Sequence, residues 1–277
     1  MSTATGPSFL KGHGTENDFV LLPDPHDTID LTPGRVRALC DRHAGLGADG
    51  VIRVVPLHGG GPERFDMDYR NADGSAAEMC GNGARLFARY LVDAGWSEPG
   101  RIVFRTRGGT RVAHVPASGD VSIEMGPATV GAPSRAVLNG AEFAGVAVDV
   151  GNPHLVCAGV PDEPELAGLD LTRAPEFDHR LFPAGVNVEF VTGLGADQVA
   201  MRVHERGVGE TRSCGTGTVA VAAAHLAATG RTDGRVRVHV PGGAVVVDVA
   251  PGATVLTGAA VLVASGRIDG AFWSVHR

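Results

Sequence analysis

Short apolar runs that alternate with polar positions dominate this chain and predict that most of it forms β-strands. Before residue 110 the pattern predicts four strands: Phe9–Leu22, Gly50–Leu57, Arg64–Arg70 and Arg101–Arg107. The first of them is interrupted by the glycine-rich turn Gly12-His13-Gly14-Thr15. After residue 110 it predicts ten further strands: Arg111–Val115, Val121–Met125, Val146–Val150, Leu155–Ala158, Val188–Val191, Val199–His204, Val236–Val240, Ala244–Val249, Thr254–Leu256 and Val261–Ala264.

Three segments have helical signals instead. One helix is predicted to begin at Thr32, with Pro33 in its first position, and to end near Gly45. A second follows Cys80, with apolar residues at a period of 3.6, and Gly95 ends it. The third runs from about Thr216 to Ala228, is closed by Gly230, and is apolar on nearly all sides, so we expect it to be buried.

The two halves of the chain resemble each other: each has strands, then Cys-Gly-x-Gly opening a buried helix, then more strands. The Pro- and Gly-rich stretch Gly126–Pro133 is the predicted linker between them. This order favours an α+β fold, with two pseudo-symmetric β-rich domains each wrapped around a central helix, over alternating βαβ units. We expect the active site in the cleft between the domains.

Composition and charge exclude several classes of partner. The chain has 277 residues, is 43% hydrophobic and 20% charged, and has a net charge of −7 with no Lys/Arg-rich run. Nucleic acids and anionic membranes need clustered basic charge, so we expect neither as a partner. No apolar stretch is long enough to span a membrane, and Met1 to Pro7 lacks an apolar signal core, so a cytoplasmic location is expected.

The four cysteines fall into two pairs by context. None belongs to a C-x-x-C motif, which disfavours zinc binding, and a cytoplasmic setting disfavours disulfides. Cys40 and Cys157 lie in apolar patterns and are predicted to be structural. Cys80 and Cys214 each precede a glycine at a helix start, where free N–H groups can bind a carboxylate and lower the pKa of a thiol.

A pair of thiols suits the inversion of a carbon stereocentre. One acid–base group removes a proton from one face of the carbon, and a second delivers a proton to the other face. A thiol whose pKa is lowered toward neutrality can serve in either state, and helix N-termini would stabilise the negative charge that develops. Such a scheme needs no cofactor. The pattern Gly45-x-Gly47-x-x-Gly50 matches the dinucleotide fingerprint, but it follows a helix and precedes a strand, so we interpret it as a turn.

Six segments, in order, resemble the diaminopimelate epimerase family over nearly the whole chain. They are Lys11–Phe19, Tyr69–Ser75, Met79–Arg85, Gly151–His154, Val186-Asn187 and Glu205–Gly217. The family is a group of cofactor-independent enzymes that convert LL-2,6-diaminopimelate to the meso isomer in the lysine and peptidoglycan pathway. The resemblance implies a homodimer in which the last segment returns to the first domain. The implied N-terminal domain is 1–126 plus 260–277, and the implied C-terminal domain is 127–259.

The resemblance also implies roles for individual residues. Cys80 and Cys214 would be the acid–base thiols, with His154 assisting Cys80 and Glu205 assisting Cys214 while it meets the reacting amino group. The remaining implied substrate-binding residues hold either the reacting carboxylate, at the helix starts, or chiefly the distal L-configured end. They are Gly81, Asn82, Gly215 and Thr216 for the carboxylate, and Asn17, Asn71, Asn152, Asn187 and Arg206 for the distal end.

Three alternatives remain open on the sequence. A proline or hydroxyproline racemase has a similar Cys-Gly-x-Gly but usually histidine where Asn82 stands, and it lacks the Glu205-Arg206-Gly207 segment. An isomerase of the phenazine-biosynthesis type shares the fold but does not use the thiol pair. A non-catalytic amino-acid-binding protein, or a redox sensor with two close thiols, is the alternative from another class.

Overall fold

The computed structural model describes residues 6–59 and 61–276. Its eighteen described strands, β1 to β18, are Ser8–Gly14, Asn17–Pro23, Gly50–Pro56, Phe65–Asn71, Gly100–Thr106, Gly109–Val115, Val121–Gly126, Thr129–Leu138, Ala141–Asp149, Pro153–Ala158, Glu176–Phe177, Asn187–Gly195, Gln198–Glu205, Gly209–Thr211, Gly234–Val240, Gly243–Ala250, Ala253–Gly258 and Val261–Arg267. Its five described helices, α1 to α5, are Pro33–Cys40, Gly81–Asp93, Glu163–Gly168, Gly215–Ala228 and Gly270–Val275. The α+β class predicted from the pattern is confirmed, and none of these helices is long and apolar enough to cross a membrane.

The chain divides into two compact units. Unit 1 comprises Met1–Ile123 and Ala259–Arg277, and unit 2 comprises Glu124–Gly258. Met1 to Thr5, which belong to the segment examined for a signal sequence, lie outside the described residues.

Both units have the same order of strand pairings. In unit 1 the neighbours are β18-β1-β2-β3-β4-β5-β6-β7, and the successive pairs are antiparallel except for β2–β3 and β4–β5, which are parallel. In unit 2 the neighbours are β8-β9-β10-β12-β13-β15-β16-β17, with β10–β12 and β13–β15 parallel. The parallel pairs thus occupy the third and fifth places in both units, so the sequence repeat around Cys-Gly-x-Gly extends to the strands.

One buried helix lies inside each set of strands. In unit 1, α2 packs against β1, β2, β3, β6 and β18, and every residue from Gly81 to Leu91 is buried. In unit 2, α4 packs against strands that include β10, β12, β15 and β16, and most of its side chains are alanine or valine. Small side chains allow strands to approach a helix from several directions. α4 is therefore buried on most sides, which explains why it is apolar nearly all round.

Three details of the pattern-based prediction are wrong. The first hairpin turns at Thr15 and Glu16, both with positive φ (49° and 59°), and not at Gly12–Thr15. Gly12 and Gly14 lie within β1 because α2 packs closely there: a Cβ on Gly14 would lie 3.0 Å from Arg85 Nη2. A two-residue turn with both φ values positive matches the twist of a hairpin.

The other two corrections concern α1 and the linker. α1 begins with Thr32 as its cap but ends at Cys40, well before Gly45. The carboxylate of Asp41 accepts the N–H groups of His43 and Ala44, which stabilises a turn instead of another helical turn. The predicted linker Gly126–Pro133 overlaps β8, which starts at Thr129. Pro133 lies where the β8–β9 register shifts, a position at which the ladder of hydrogen bonds tolerates the missing N–H.

Candidate active site

Cys80 caps α2 in unit 1. Its backbone is extended (φ −133°, ψ 120°), and its Sγ accepts the N–H of Gly83 at 3.5 Å. The N–H of Ala84 donates to the Cys80 carbonyl, as at the start of a regular helix. Sulfur thus takes the place that a serine or aspartate oxygen usually fills at a cap, and the thiol is held beside the positive end of the helix.

Asn17 connects Cys80 to the β1–β2 hairpin. Its Oδ1 lies 3.5 Å from Cys80 Sγ, which donates to it, and 3.2 Å from the donating Nδ2 of Asn82. Its own Nδ2 donates to Asp49 Oδ2 at 2.7 Å, which fixes the orientation of the amide. Asn17 and Asn82, both expected in the site from the sequence, are therefore assembled around the thiol, and Asp49 is an added member that the sequence did not reveal.

A cluster of charges supports the Asn17 end of this hairpin. Asp18 pairs with Lys11 (Nζ to Oδ2, 2.5 Å) and with Arg42 (Nη2 to Oδ1, 2.9 Å), and Arg42 also pairs with Asp49. Burial raises the pKa of Asp18, but the hydrogen bonds from Arg42 and Lys11 outweigh it and lower this pKa to about 2. Asp18 therefore stays ionised across the physiological range, and its ion pairs hold the hairpin in place.

Asn71 lies at the same end of the sheet, but its side chain hydrogen-bonds to the turn that follows β4. It closes β4, and its Nδ2 donates to Ser75 Oγ at 3.0 Å. The N–H of the next residue, Ala72, donates to the Asp49 carbonyl at 3.1 Å. This places Asn71 beside the Asn17–Asp49 pair, although its side chain hydrogen-bonds to the turn and not to Cys80. Its expected role in binding substrate stays a prediction.

Cys214 caps α4 in unit 2 with the same local geometry. Its backbone is extended (φ −120°, ψ 116°), and its Sγ accepts the N–H of Gly217 at 3.4 Å. The Thr216 hydroxyl lies 3.6 Å from the sulfur. The amide N–H groups of Gly215 and Thr216 have no hydrogen-bond acceptor among the described residues, so they are available to an anion at this helix start.

His154 belongs to a hydrogen-bonded chain that leads to Cys214. His154 is fully buried; its Nε2 lies 3.0 Å from Asn152 Oδ1, and its Nδ1 lies 2.6 Å from Glu189 Oε1. Asn152 Nδ2 donates in turn to the Thr216 hydroxyl at 3.3 Å. Both expected residues, His154 and Asn152, therefore lie in one chain, which ends at a carboxyl group the sequence did not reveal. The expected assistance of His154 to Cys80 stays a prediction.

Glu189 is, with Asp49, a site residue that sequence reasoning missed. It lies in the apolar run Val188-Glu189-Phe190-Val191 of β12, is completely buried, and its Oε2 has no hydrogen-bond partner among the described residues. Burial raises its pKa, and His154 counteracts that effect. A single acid inside an apolar strand was the available signal, because burying an unpaired carboxyl group is costly.

Glu205, at the end of β13, lies beside Cys214 as expected. It accepts a hydrogen bond from the Thr211 hydroxyl, and its carboxyl group lies close enough to Cys214 to affect the pKa of that thiol. Burial raises the pKa of Glu205, and the nearby Glu189 raises it further. The next residue, Arg206, donates its backbone N–H to Asn187 Oδ1 at 2.9 Å, while Asn187 Nδ2 donates to the Pro153 carbonyl. Asn187 thus ties Arg206 to the segment that carries His154.

The pKa expected for Cys214 is corrected by the structure. The sequence predicted that the helix start would lower it toward neutrality. Instead, burial raises the pKa of Cys214 well above its usual value, and Glu205 and then Glu189 raise it further. The hydrogen bonds from Thr216 and Gly217 act in the opposite direction but are outweighed. Cys214 is therefore held as a neutral thiol in this structure.

Cys40 and Cys157 lie in the cores of units 1 and 2 respectively, and burial raises the pKa of each thiol to about 12. Their predicted structural role is confirmed. Among the residues the structure describes, no three His, Cys, Asp or Glu side chains are grouped to hold a metal ion.

Solved structures share this fold. A hydroxyproline epimerase from Agrobacterium vitis is 17% identical, with a TM-score of 0.67 over 97% of this chain and 94% of that one. A phenazine biosynthesis protein of the PhzF family from Enterococcus faecalis is 13% identical, with a TM-score of 0.69 over 95% of this chain and 99% of that one. These identities show the fold alone.

The sequence comparisons identify the family. A family model described as diaminopimelate epimerase matches residues 9–131 and 146–263. Curated diaminopimelate epimerases from Rhodococcus jostii and Mycobacterium ulcerans are each 50% identical, covering 96% and 97% of this chain and 98% and 99% of their own. The enzyme from Corynebacterium glutamicum is 50% identical over 94% of this chain and 98% of its own. These relatives make the chain an isomerase of the epimerase class. It belongs to the diaminopimelate epimerase family.

Proposed function

We propose that this protein converts LL-2,6-diaminopimelate to the meso isomer without a cofactor, using Cys80 and Cys214 as its acid–base pair, in the supply of lysine and peptidoglycan precursors. The main support for the proposal is that the same cysteine-capped helix occurs once in each unit of the chain. A cysteine caps a buried glycine-rich helix in each of two units that share one order of strand pairings. Family membership supports the substrate.

The reaction needs one thiolate and one thiol. The thiolate takes the α-proton from one face of the reacting carbon and becomes a thiol. The other thiol gives its proton to the opposite face and becomes a thiolate. The electron pair released from the C–H bond is delocalised into the carboxylate, where the N–H groups at the helix starts stabilise it. Each turnover therefore exchanges the protonation states of the two cysteines.

The residues around Cys214 support the second half of this scheme. The thiol is neutral as the structure has it, so it holds the proton that must be delivered. Glu205 lies close enough to that thiol for the two groups to affect each other's pKa, and it would meet the reacting amino group. The backbone of Arg206 is fixed by Asn187, and its guanidinium, which donates to the Ala184 carbonyl, would bind the distal carboxylate.

The remaining residues expected in the site would bind either the reacting carboxylate or the distal end of the substrate. The reacting carboxylate would be held by Gly81 and Asn82 of unit 1 and by Gly215 and Thr216 of unit 2. Asn17, Asn71 and Asn152 would bind the distal end. A homodimer and a cytoplasmic location are also proposed, both on the family resemblance.

Proton NMR in D₂O tests the proposal with purified, reduced protein and LL-diaminopimelate. The expected result is conversion to the meso isomer with loss of the α-proton signal, at a rate that extensive dialysis against a chelator and added pyridoxal phosphate both leave unchanged. Absence of exchange with the thiols confirmed free would reject this substrate. Proline and hydroxyproline are the control substrates, and their racemisation would favour the alternative activity.

A further inference from the structure

The order of strand pairings gives a residue-by-residue match between the two units. In unit 1, Phe19 lies on β2, and Ile52 lies on β3 two residues beyond the partner of Phe19. In unit 2, His154 lies on β10, and Glu189 lies on β12 two residues beyond the partner of His154. Both strand pairs are parallel and hold the same place in the order. In the repeat, His154 therefore corresponds to Phe19. Glu189 corresponds to Ile52.

The third residue of each capped helix, a glycine, supports this match. A Cβ on Gly83 would lie 3.0 Å from Ile52 Cδ1 and 3.4 Å from Phe19 Cζ, and a Cβ on Gly217 would lie 2.8 Å from Glu189 Oε1. The side chains at all four strand positions are fully buried. An apolar pair fills this place in unit 1, so the fold itself does not require a carboxyl group and an imidazole in unit 2. Burying such polar groups is costly, which points to a role beyond packing.

An asparagine joins the same two strands to the helix in each unit. Asn17 and Asn152 each lie two residues before the matched positions of β2 and β10. Asn17 Oδ1 accepts from Asn82, the second residue of α2, at 3.2 Å. Asn152 Nδ2 donates to Thr216, the second residue of α4, at 3.3 Å. The two asparagines are therefore equivalent in the repeat, but opposite ends of their amides face the helix start.

The partner on the other side of each amide explains this difference in orientation. Asp49 accepts from Asn17 Nδ2 at 2.7 Å, and because a carboxylate only accepts, the amide oxygen is turned toward α2. In unit 2 the position that corresponds to Asp49 holds Val186, which has no polar side chain. Asn152 Oδ1 lies instead 3.0 Å from His154 Nε2. Since an amide oxygen only accepts, this ring nitrogen must carry a proton.

The pairing of His154 with Glu189 keeps that proton on Nε2. Glu189 Oε1 lies 2.6 Å from His154 Nδ1, so one proton lies between these two atoms, because two bare acceptors repel at this distance. Burial raises the pKa of Glu189, which helps the pair to retain the shared proton. With Nδ1 engaged in this way, Nε2 is the nitrogen that donates to Asn152. The pair as a whole has no net charge, which suits its complete burial.

We propose that Glu189 is a positioning residue that orients Asn152 through His154. It does for unit 2 what Asp49 does for Asn17 in unit 1. The result is an amide whose N–H groups face the start of α4. The inference rests on the proposed function, in which Asn152 binds the substrate, and extends it to a fully buried residue.

Proton–nitrogen correlation NMR of asparagine side-chain amides, recorded without substrate, tests the orientation. The signals of Asn152 and Asn17 are assigned by their loss in Asn152→Asp and Asn17→Asp. We expect Glu189→Ile, which installs the unit 1 residue, to shift the Asn152 signals and leave those of Asn17 in place. Asp49→Ala is the matched control and should shift the Asn17 signals only. Asn152 signals that Glu189→Ile leaves unchanged would overturn the proposal.

Rescue by a conservative variant separates orientation from packing. In Glu189→Gln the amide N–H donates to His154 Nδ1, so we expect the Asn152 signals and kcat/KM to stay close to wild type. Glu189→Ile should lower kcat/KM about tenfold, mainly through a higher KM, because the contact that is lost binds substrate and does not act on the reacting atoms. A glutamine variant as impaired as the isoleucine variant, or a loss confined to kcat, would refute the positioning role.

A double-variant cycle shows whether the effect passes through Asn152. In Asn152→Ala protein, Glu189→Ile should cause little further loss of kcat/KM, whereas additive losses would contradict the proposed route.

A second variant keeps the test decisive if Glu189→Ile does not fold. His154→Phe combined with Glu189→Ile restores the complete apolar pair of unit 1, and we expect a thermal midpoint near that of the wild type together with shifted Asn152 signals. Unshifted signals in this folded protein would also reject the proposal. Because the NMR experiments contain no substrate, they decide the role of Glu189 whether or not diaminopimelate is epimerised.

Discussion

Gly217→Ala offers a sharp test of the packing around His154. The added Cβ would lie 2.8 Å from Glu189 Oε1, which must retreat by about 0.6 Å to reach ordinary contact. That oxygen forms the 2.6 Å hydrogen bond to His154 Nδ1, inside a fully buried pair. Alanine gains about 0.5–1 kcal/mol over glycine within a helix. Weakening a hydrogen bond so that a buried polar group loses its partner costs about 1–3 kcal/mol, so we expect this loss to exceed the gain from alanine.

We expect a net destabilisation of about 1–2 kcal/mol, which lowers the thermal midpoint by roughly 3–6 °C, together with reduced turnover. Gly83→Ala is the matched control, because Gly83 occupies the same place in α2. Its Cβ would meet Ile52 Cδ1 at 3.0 Å and Met67 Cε at 3.3 Å, both of which are flexible side-chain ends. Calorimetry and the epimerase rate measure both variants. Wild-type stability and rate in Gly217→Ala would refute the reasoning.

Three further predictions concern other parts of the site. Arg206→Ala should raise the KM for diaminopimelate about tenfold or more, because a charge-assisted contact to the distal carboxylate is lost; steady-state kinetics with unchanged KM and kcat would remove Arg206 from the site. Asp49→Ala should lower kcat/KM about tenfold, since Asn17 loses the acceptor that orients its amide; a wild-type value would contradict that role. Asp18 has a folded pKa of about 2, below its unfolded value, so its stabilisation is complete above about pH 4 and is lost as pH falls toward 2; acid unfolding of Asp18→Asn should lack this component, and identical profiles would count against it.

The features that the sequence could predict depend on residues close together in the chain. The features that it missed depend on contacts with strands distant in the chain. The two cysteine-capped helices follow from Cys-Gly-x-Gly and an apolar period, both readable within a few residues. The pKa of Cys214 was predicted wrongly because burial by other parts of unit 2 raises it most, and the two carboxyl groups that raise it further come from β12 and β13. The helix motif contains none of these groups.

The same distinction explains the other differences. Arg85 fits the polar pattern of a helix, and only the packing of β1 and residue 259 around it shows that it is buried. The first hairpin was displaced in the prediction because Gly12 and Gly14 resemble turn residues, whereas here they make room for α2. The start of β8 was assigned to a linker because Gly131 and Pro133 are compatible with an irregular strand as well as with a loop.

Proton exchange in the single-cysteine variants tests the two-thiol mechanism most directly. Cys80→Ala and Cys214→Ala are each incubated with LL- and meso-diaminopimelate in D₂O, with Cys157→Ala as the control that alters a core cysteine. We expect no inversion in either site variant. We also expect that each remaining thiol still exchanges the α-proton of the isomer that faces it, while Cys157→Ala inverts both isomers. Inversion at a near-wild-type rate by either Cys80→Ala or Cys214→Ala would contradict the account.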